Sequence, residues 1–348
     1  MDKKTRNTIL VIGLLVVGTG IIIFDQGLKG LLTGQFIMLV IGAAVAVMAT
    51  LLAPENKAQP ASRQPQLRVP TSNELSSAID LLQQTTSRPY LKLEAKERST
   101  GVFDSKLGGR PYLPPGFAYP TDLSPQSAGL PLRLLCQLNF SRLPKLPGFP
   151  QDGILQFYLT SDLGPEVYGL DFDHPDRQES WRIVYHQEVI TDASALQASP
   201  DIEQAAAEAG VDYRNSFPFD IDQEYALEAE LAEMPINPHD YGWAEFMEMT
   251  FEGSKIGEQL KEKYAEDEIE MALSEALPAL GHRVGGYPTF TQDDPRHRAY
   301  RDHSVLLLQI DSEDDIVWGD YGVANFFITP EALARCDFSS VLYNWDCL

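Results

Sequence analysis

The feature that most constrains how this chain can fold is a repetition. "LGGRPYLP" (Leu107–Pro114) is matched by "VGGYPTFT" (Val284–Thr291), and "LLCQLN" (Leu134–Asn139) by "LLLQID" (Leu306–Asp311). "GILQFYLT" (Gly153–Thr160) is matched in turn by "GVANFFIT" (Gly322–Thr329). The elements keep their order and nearly their spacing. A glycine turn, an apolar strand and an aromatic-rich strand, used twice, predict a pseudo-symmetric fold with copies over about 105–160 and 282–329. "LLLQI" is apolar at nearly every position, as in a strand covered on both faces. Gln137 and Gln309 are then buried amides that need partners. Their expected role is to bond loop backbone, including the Gly-Gly turns. Ligand recognition is the alternative.

The stretch from about 201 to 280 separates the copies and is strongly acidic. "DIEQAAAEAG", "DQEYALEAELAEM", "GWAEFMEMTF" and "IGEQLKEKYAEDEIEMALSEAL" are expected to be helices. Trp243, Phe246, Met247 and Phe251 form an apolar cluster whose plain role is to dock those helices on the sheet. The alternative is an anchor for a partner protein.

The N-terminus is a different material. Thr8–Phe24 and Leu31–Ala53 carry no charge and show no polar face. Both are long enough to cross a hydrocarbon core, which takes roughly 17–25 apolar residues. The expectation is a transmembrane hairpin over 1–53, helices about 8–24 and 31–53, using the lipid bilayer as its partner. A Pro- and Gln-rich linker follows over 54–72. Lys3, Lys4 and Arg6 precede the first segment, and Lys57, Arg63 and Arg68 follow the second. The positive-inside rule therefore puts both termini in the cytoplasm, as a multi-pass protein of a bacterial inner membrane. The globular domain is expected over 73–348.

The chain carries 50 Asp+Glu against 27 Lys+Arg, a net charge of −23. That balance excludes a general affinity for nucleic acid and favours a cationic partner. Cys136, Cys336 and Cys347 form no Cys-x-x-Cys pair and imply no disulfide framework. There is no phosphate-cradling Gly-x-x-x-x-Gly-Lys-Ser/Thr, no Gly-x-Ser-x-Gly elbow and no His-x-x-x-His. No catalytic residue, cofactor or metal is assigned. The acids around "WGDYG" lack the spacing of an EF-hand loop and are expected to form an exposed turn. The residues named for a ligand or partner are Gln292, Asp293, Gln309, Asp311, Trp318 and Asp320.

"SKLGGRPYLP", "LLCQLNFSRLP", "GILQFYLT", "GYPTFTQDD", "LLLQIDSED" and "WGDYGVANFFIT" together resemble the YwqG-like family, bacterial proteins of unknown function. The resemblance covers roughly 74–348. It implies an α+β fold on antiparallel sheet and no established catalytic residue. The expected fold class is thus α+β, largely antiparallel, with an internal pseudo-duplication and an acidic helical insertion, behind a transmembrane hairpin. Two function classes follow. One is a membrane-anchored adaptor binding a cationic or apolar protein, an immunity-type role included. The other is a metal-dependent or hydrolytic enzyme at the Gly-Gly-x-Pro and Trp-Gly-Asp turns.

Overall fold

In a computed structural model, described over residues 69–160, 167–211, 217–277, 280–297 and 299–348, ten antiparallel strands make one sheet. They are β1 (Arg88–Glu97), β2 (Lys106–Gly108), β3 (Arg133–Asn139), β4 (Ile154–Leu159), β5 (Trp181–His186), β6 (Glu224–Met234), β7 (His282–Gly285), β8 (Val305–Asp311), β9 (Val323–Ile328) and β10 (Leu342–Asp346). The order across the sheet is β10-β9-β8-β7-β1-β6-β2-β3-β4-β5.

That order is symmetric about its centre. β1 and β6 pair from Arg88 opposite Met234 to Glu97 opposite Tyr225. β1 gives its other edge to β7, Leu91 opposite Val284, and β6 gives its other edge to β2, Tyr225 opposite Leu107. Overlaying β2 on β7 therefore carries Leu91 onto Tyr225 and Glu94 onto Glu228. Glu94 and Glu228 are themselves cross-strand partners, so an approximate two-fold axis passes between them. Each half lends its first strand to the sheet of the other. The flanks repeat in detail: the β3–β4 and β8–β9 ladders are each interrupted by a bulge, between Leu134 and Cys136 and between Leu306 and Leu308.

The sheet bends into a half-barrel. Phe157 of β4 lies 5.0 Å from Phe326 of β9, ring to ring, and Trp181 of β5 lies 5.4 Å from Tyr343 of β10. These strands stand at opposite ends of the sheet, so the core forms where its flanks fold face to face. The segment after residue 167 closes the gap. Tyr343 N donates to Pro175 O, Ile183 N to Gln178 Oε1, and Gln178 Nε2 to Phe338 O. One loop thereby occupies groups on both free edges, which would otherwise template aggregation.

Among the described residues helices are few and short. α1 (Ser72–Thr86) starts on Thr71, which forms a capping box with Glu74. α2 (Ile202–Ala209) and α3 (Trp243–Phe246) follow, α3 running into a π-turn over Met247–Phe251. α4 (Lys255–Lys261), α5 (Glu266–Ala276) and α6 (Pro330–Ala334) complete the set. Leu82, Trp243, Phe251, Leu260 and Leu273 pack with Tyr90, Met234 and Tyr287 as a second apolar cluster. The aromatics of "GWAEFMEMTF" serve docking there.

Two expectations are corrected. The fold is a ten-stranded antiparallel half-barrel with small helices, not an α+β protein with an acidic helical insertion over about 201–280. "DQEYALEAELAEM" is not a helix but β6, at the centre of the sheet. Glu, Ala and Leu favour helix, but Tyr225, Leu227, Ala229 and Leu231 alternate at period two. Pairing with β1 and β2 on both sides overrides propensity. The second correction concerns the membrane. The expected hairpin, helices 8–24 and 31–53, lies outside the described residues, as does nearly all of the linker. Among the described residues no helix is long and apolar enough to cross a membrane. The multi-pass inner-membrane placement is not carried further.

Candidate functional site

The Gly-Gly-x-Pro turns are framework. Gly108, Gly109, Gly285 and Gly286 all have φ between 65° and 77°, where a side chain is penalised. Gln137 is fully buried, its Oε1 accepting from Tyr112 N at 2.8 Å and its Nε2 donating to Asp104 O. Gln309 is buried alike, accepting from Thr289 N at 2.8 Å and donating to Gly281 O. Gln156 Nε2 donates to Tyr112 O, and at the matched position Asn325 Nδ2 donates to Thr289 O. Even the buried cations match: Lys106 Nζ donates to Arg110 O, and Arg283 Nη1 to Tyr287 O. Burial lowers Lys106 to about 8 and Arg283 to about 10. Each amide or cation satisfies turn backbone, and Gln309 braces its loop.

The other residues named from sequence do not converge. Trp318 is buried edge-on against Tyr168, its ring centroid 5.1 Å away, and holds the β8–β9 connection to the core. Gln292 donates to Cys347 O and ties the C-terminus. Asp293 and Asp320 are exposed. Asp311 differs, because it lies at the mouth of the β8–β9 hairpin in an open cavity of about 480 Å³, lined also by Leu280, Gly281, Ser312, Glu313 and Tyr321.

Asp311 is buried and accepts from Gly281 N at 2.6 Å and from Ser312 N at 2.9 Å. Its backbone N–H donates to His282 Nδ1 at 3.0 Å. His282 is buried, and its Nε2 has no hydrogen-bond partner, the nearest carboxylate being Glu313 Oε2 at 3.5 Å. Burial, then the Arg283 charge, lowers His282 to about 4. The ring is thus neutral, and the bond at Nδ1 leaves the proton on Nε2. The buried Nε2–H faces Glu313, and the ring has no free lone pair with which to act as a base.

Both carboxylates sit in unfavourable surroundings. Burial raises Asp311. Glu313 is raised by burial and then by Asp314, Asp311 and Glu94. The rim is apolar and exposed: Leu280 is 80% and Tyr321 69% accessible. Tyr321 and Asp314 both have positive φ, at 53° and 50°, a strain that concentrates at functional loops. Among the described residues no group of three His, Cys, Asp or Glu is placed to hold a metal ion. Sequence reading placed Glu313 only among the acids of an exposed turn and missed His282, Leu280 and Tyr321. The signal was in the repeat: Ser105, Asn139 and Ser141 of the first copy become His282, Asp311 and Glu313 in the second.

A family model matches residues 105–347, spanning both halves of the sheet from β2 onward. The chain belongs to the DUF1963 family. It is described as a domain of unknown function. No curated protein matches the chain. The DUF1963 match includes the whole acidic cavity, both Gly-Gly turns and β6.

Proposed function

We propose that this DUF1963 domain is a binding module whose β8–β9 hairpin mouth takes a basic segment of a partner protein. One observation carries the reading: two carboxylates, Asp311 and Glu313, are held at raised pKa beside exposed Leu280 and Tyr321. A cationic head relieves the repulsion between the acids, and its aliphatic stem covers the apolar rim. Lysine and arginine side chains have that two-part character, and Tyr321 offers a ring face to the cation. The tautomer of His282 argues against this histidine as a general base at the same turn. An adaptor of immunity type, within a YwqG-like subgroup, is the finer form of this reading.

The test is fluorescence anisotropy with the full-length chain and a labelled Arg/Lys-rich decapeptide. Glu313→Gln should weaken binding about tenfold, equivalent to about 1.4 kcal/mol. Removing a charge elsewhere, in Glu331→Gln on α6, should change it less than about twofold, as for a charge far from the bound peptide. Equal loss in both variants would mean only diffuse attraction to an acidic surface and would overturn the site.

A further inference from the structure

The two-fold relation gives the acidic cavity a counterpart. Where β8 ends on Asp311, β3 ends on Asn139. Where Gly322 opens β9, Gly153 opens β4. The local bonds agree: Asn139 N donates to Ser105 Oγ at 2.9 Å, as Asp311 N donates to His282 Nδ1 at 3.0 Å. Phe140 N donates to Gly153 O, as Ser312 N donates to Gly322 O. At this matched mouth lies an open cavity of about 340 Å³. Its wall includes Phe103, Asn139, Ser141 and Asp152, which correspond to Leu280, Asp311, Glu313 and Tyr321 of the acidic cavity.

The chemistry has changed while the frame has not. Asn139 and Ser141 stand where the acids stand in the other half, so the field that would hold a cation is gone. The cation at this mouth, Arg142, is already paired with Asp104 at 2.9 Å, and a chain of net charge −23 repels free anions. What remains is a set of neutral donors and acceptors, Ser141, Gln187 and Thr191, with Asp152 as a further acceptor. They line the cavity together with half-buried Phe103, whose ring has the Arg142 guanidinium 5.8 Å away. We infer that the β3–β4 hairpin mouth is a second binding site, for a neutral polyhydroxyl ligand of sugar size. Hydroxyls pair with short polar side chains that both donate and accept, and ring C–H faces lie against Phe103. The volume falls in the range of small-ligand sites. The inference needs only the matched geometry and stands whether or not the acidic cavity takes a basic peptide.

Saturation-transfer NMR with the full-length chain and glucose, galactose and N-acetylglucosamine as probes tests it. At least one probe should receive saturation. The transfer should fall at least about fivefold in Gln187→Ala/Thr191→Ala, a pair of exposed positions whose loss leaves the core untouched. Ser141→Glu, also exposed, should abolish it by importing the acidic chemistry of the other half, while Glu313→Gln should leave it unchanged. No transfer to any probe, or transfer that survives both first-half variants, overturns the second site.

Discussion

Acid should weaken this protein through His282, and by a predictable amount. The folded value is about 4 against 6.5 for the free side chain, because the ring is buried and lies near the Arg283 charge. The unfolded chain therefore takes up the proton first. Stability carried by neutral His282 is complete above pH 6.5 and is lost as pH falls toward 4. At pH 5 the loss is about 2 kcal/mol, since a tenfold difference in proton affinity between the two states is worth about 1.4 kcal/mol. His186, lowered to about 4 by burial, acts in the same direction. Asp311 and Glu313 act oppositely, because their folded values are raised and protonation relieves them.

The contribution of His282 is isolated by a variant and not by the total. In His282→Asn the side-chain oxygen replaces Nδ1 as acceptor for Asp311 N, while nothing remains to titrate. Urea unfolding at pH 7 and pH 5 should show the parent losing about 2 kcal/mol more than the variant. With a slope of about 3 kcal/mol/M, the midpoint difference is roughly 0.7 M. Parallel pH dependences in the two proteins would refute the buried neutral histidine and, with it, the tautomer assigned to its ring.

The matched amides make a second prediction: Gln137→Ala and Gln309→Ala should each cost about 2–4 kcal/mol in unfolding free energy, because each strands buried backbone donors and acceptors. The two costs should agree to within about 1 kcal/mol, and a much larger gap would mean the halves are not equivalent frames. The thiols make a third. Cys136 is fully buried and its pKa is pushed well up by burial, whereas Cys336 and Cys347 are partly accessible. A thiol reagent should therefore label two sites in the native protein and the third only on unfolding.

Much of the framework was legible because it is written twice. A glycine pair before x-Pro, or a glutamine within an apolar strand, is ambiguous once and informative in two copies. The chain reading failed at β6, where local preference and period disagree. Glu, Ala and Leu favour helix, and only the alternation of Tyr225, Leu227 and Ala229 marks the strand. Its decisive partners, Lys92 to Leu93 of β1 and Lys106 to Leu107 of β2, lie more than a hundred residues upstream. The acidic cavity was hidden for a related reason. Leu280 and His282 precede Asp311 and Glu313 by about thirty residues, and only β7–β8 pairing brings them to one hairpin mouth. Asp293 and Asp320 lay closer to Asp311 in sequence but project from exposed turns.

The same repetition separates what the fold needs from what the sites do. Positions alike in both halves hold backbone: Gln137 with Gln309, Lys106 with Arg283, and the four αL glycines. Their chemistry is fixed by a turn that both halves must make. Positions that differ within the matched frame are released from that demand. Ser105 and His282 accept the same kind of backbone bond, yet only the imidazole carries a second nitrogen, 3.5 Å from the Glu313 carboxylate. Asn139 and Asp311 occupy the same strand end, yet one is neutral and the other a buried acid raised by its surroundings. Burying that acid beside Glu313 costs stability in the free protein, and nothing in the framework calls for it, because the first half builds the same hairpin without it. A cost that the fold does not require is the cost that the cationic ligand proposed for this mouth would relieve.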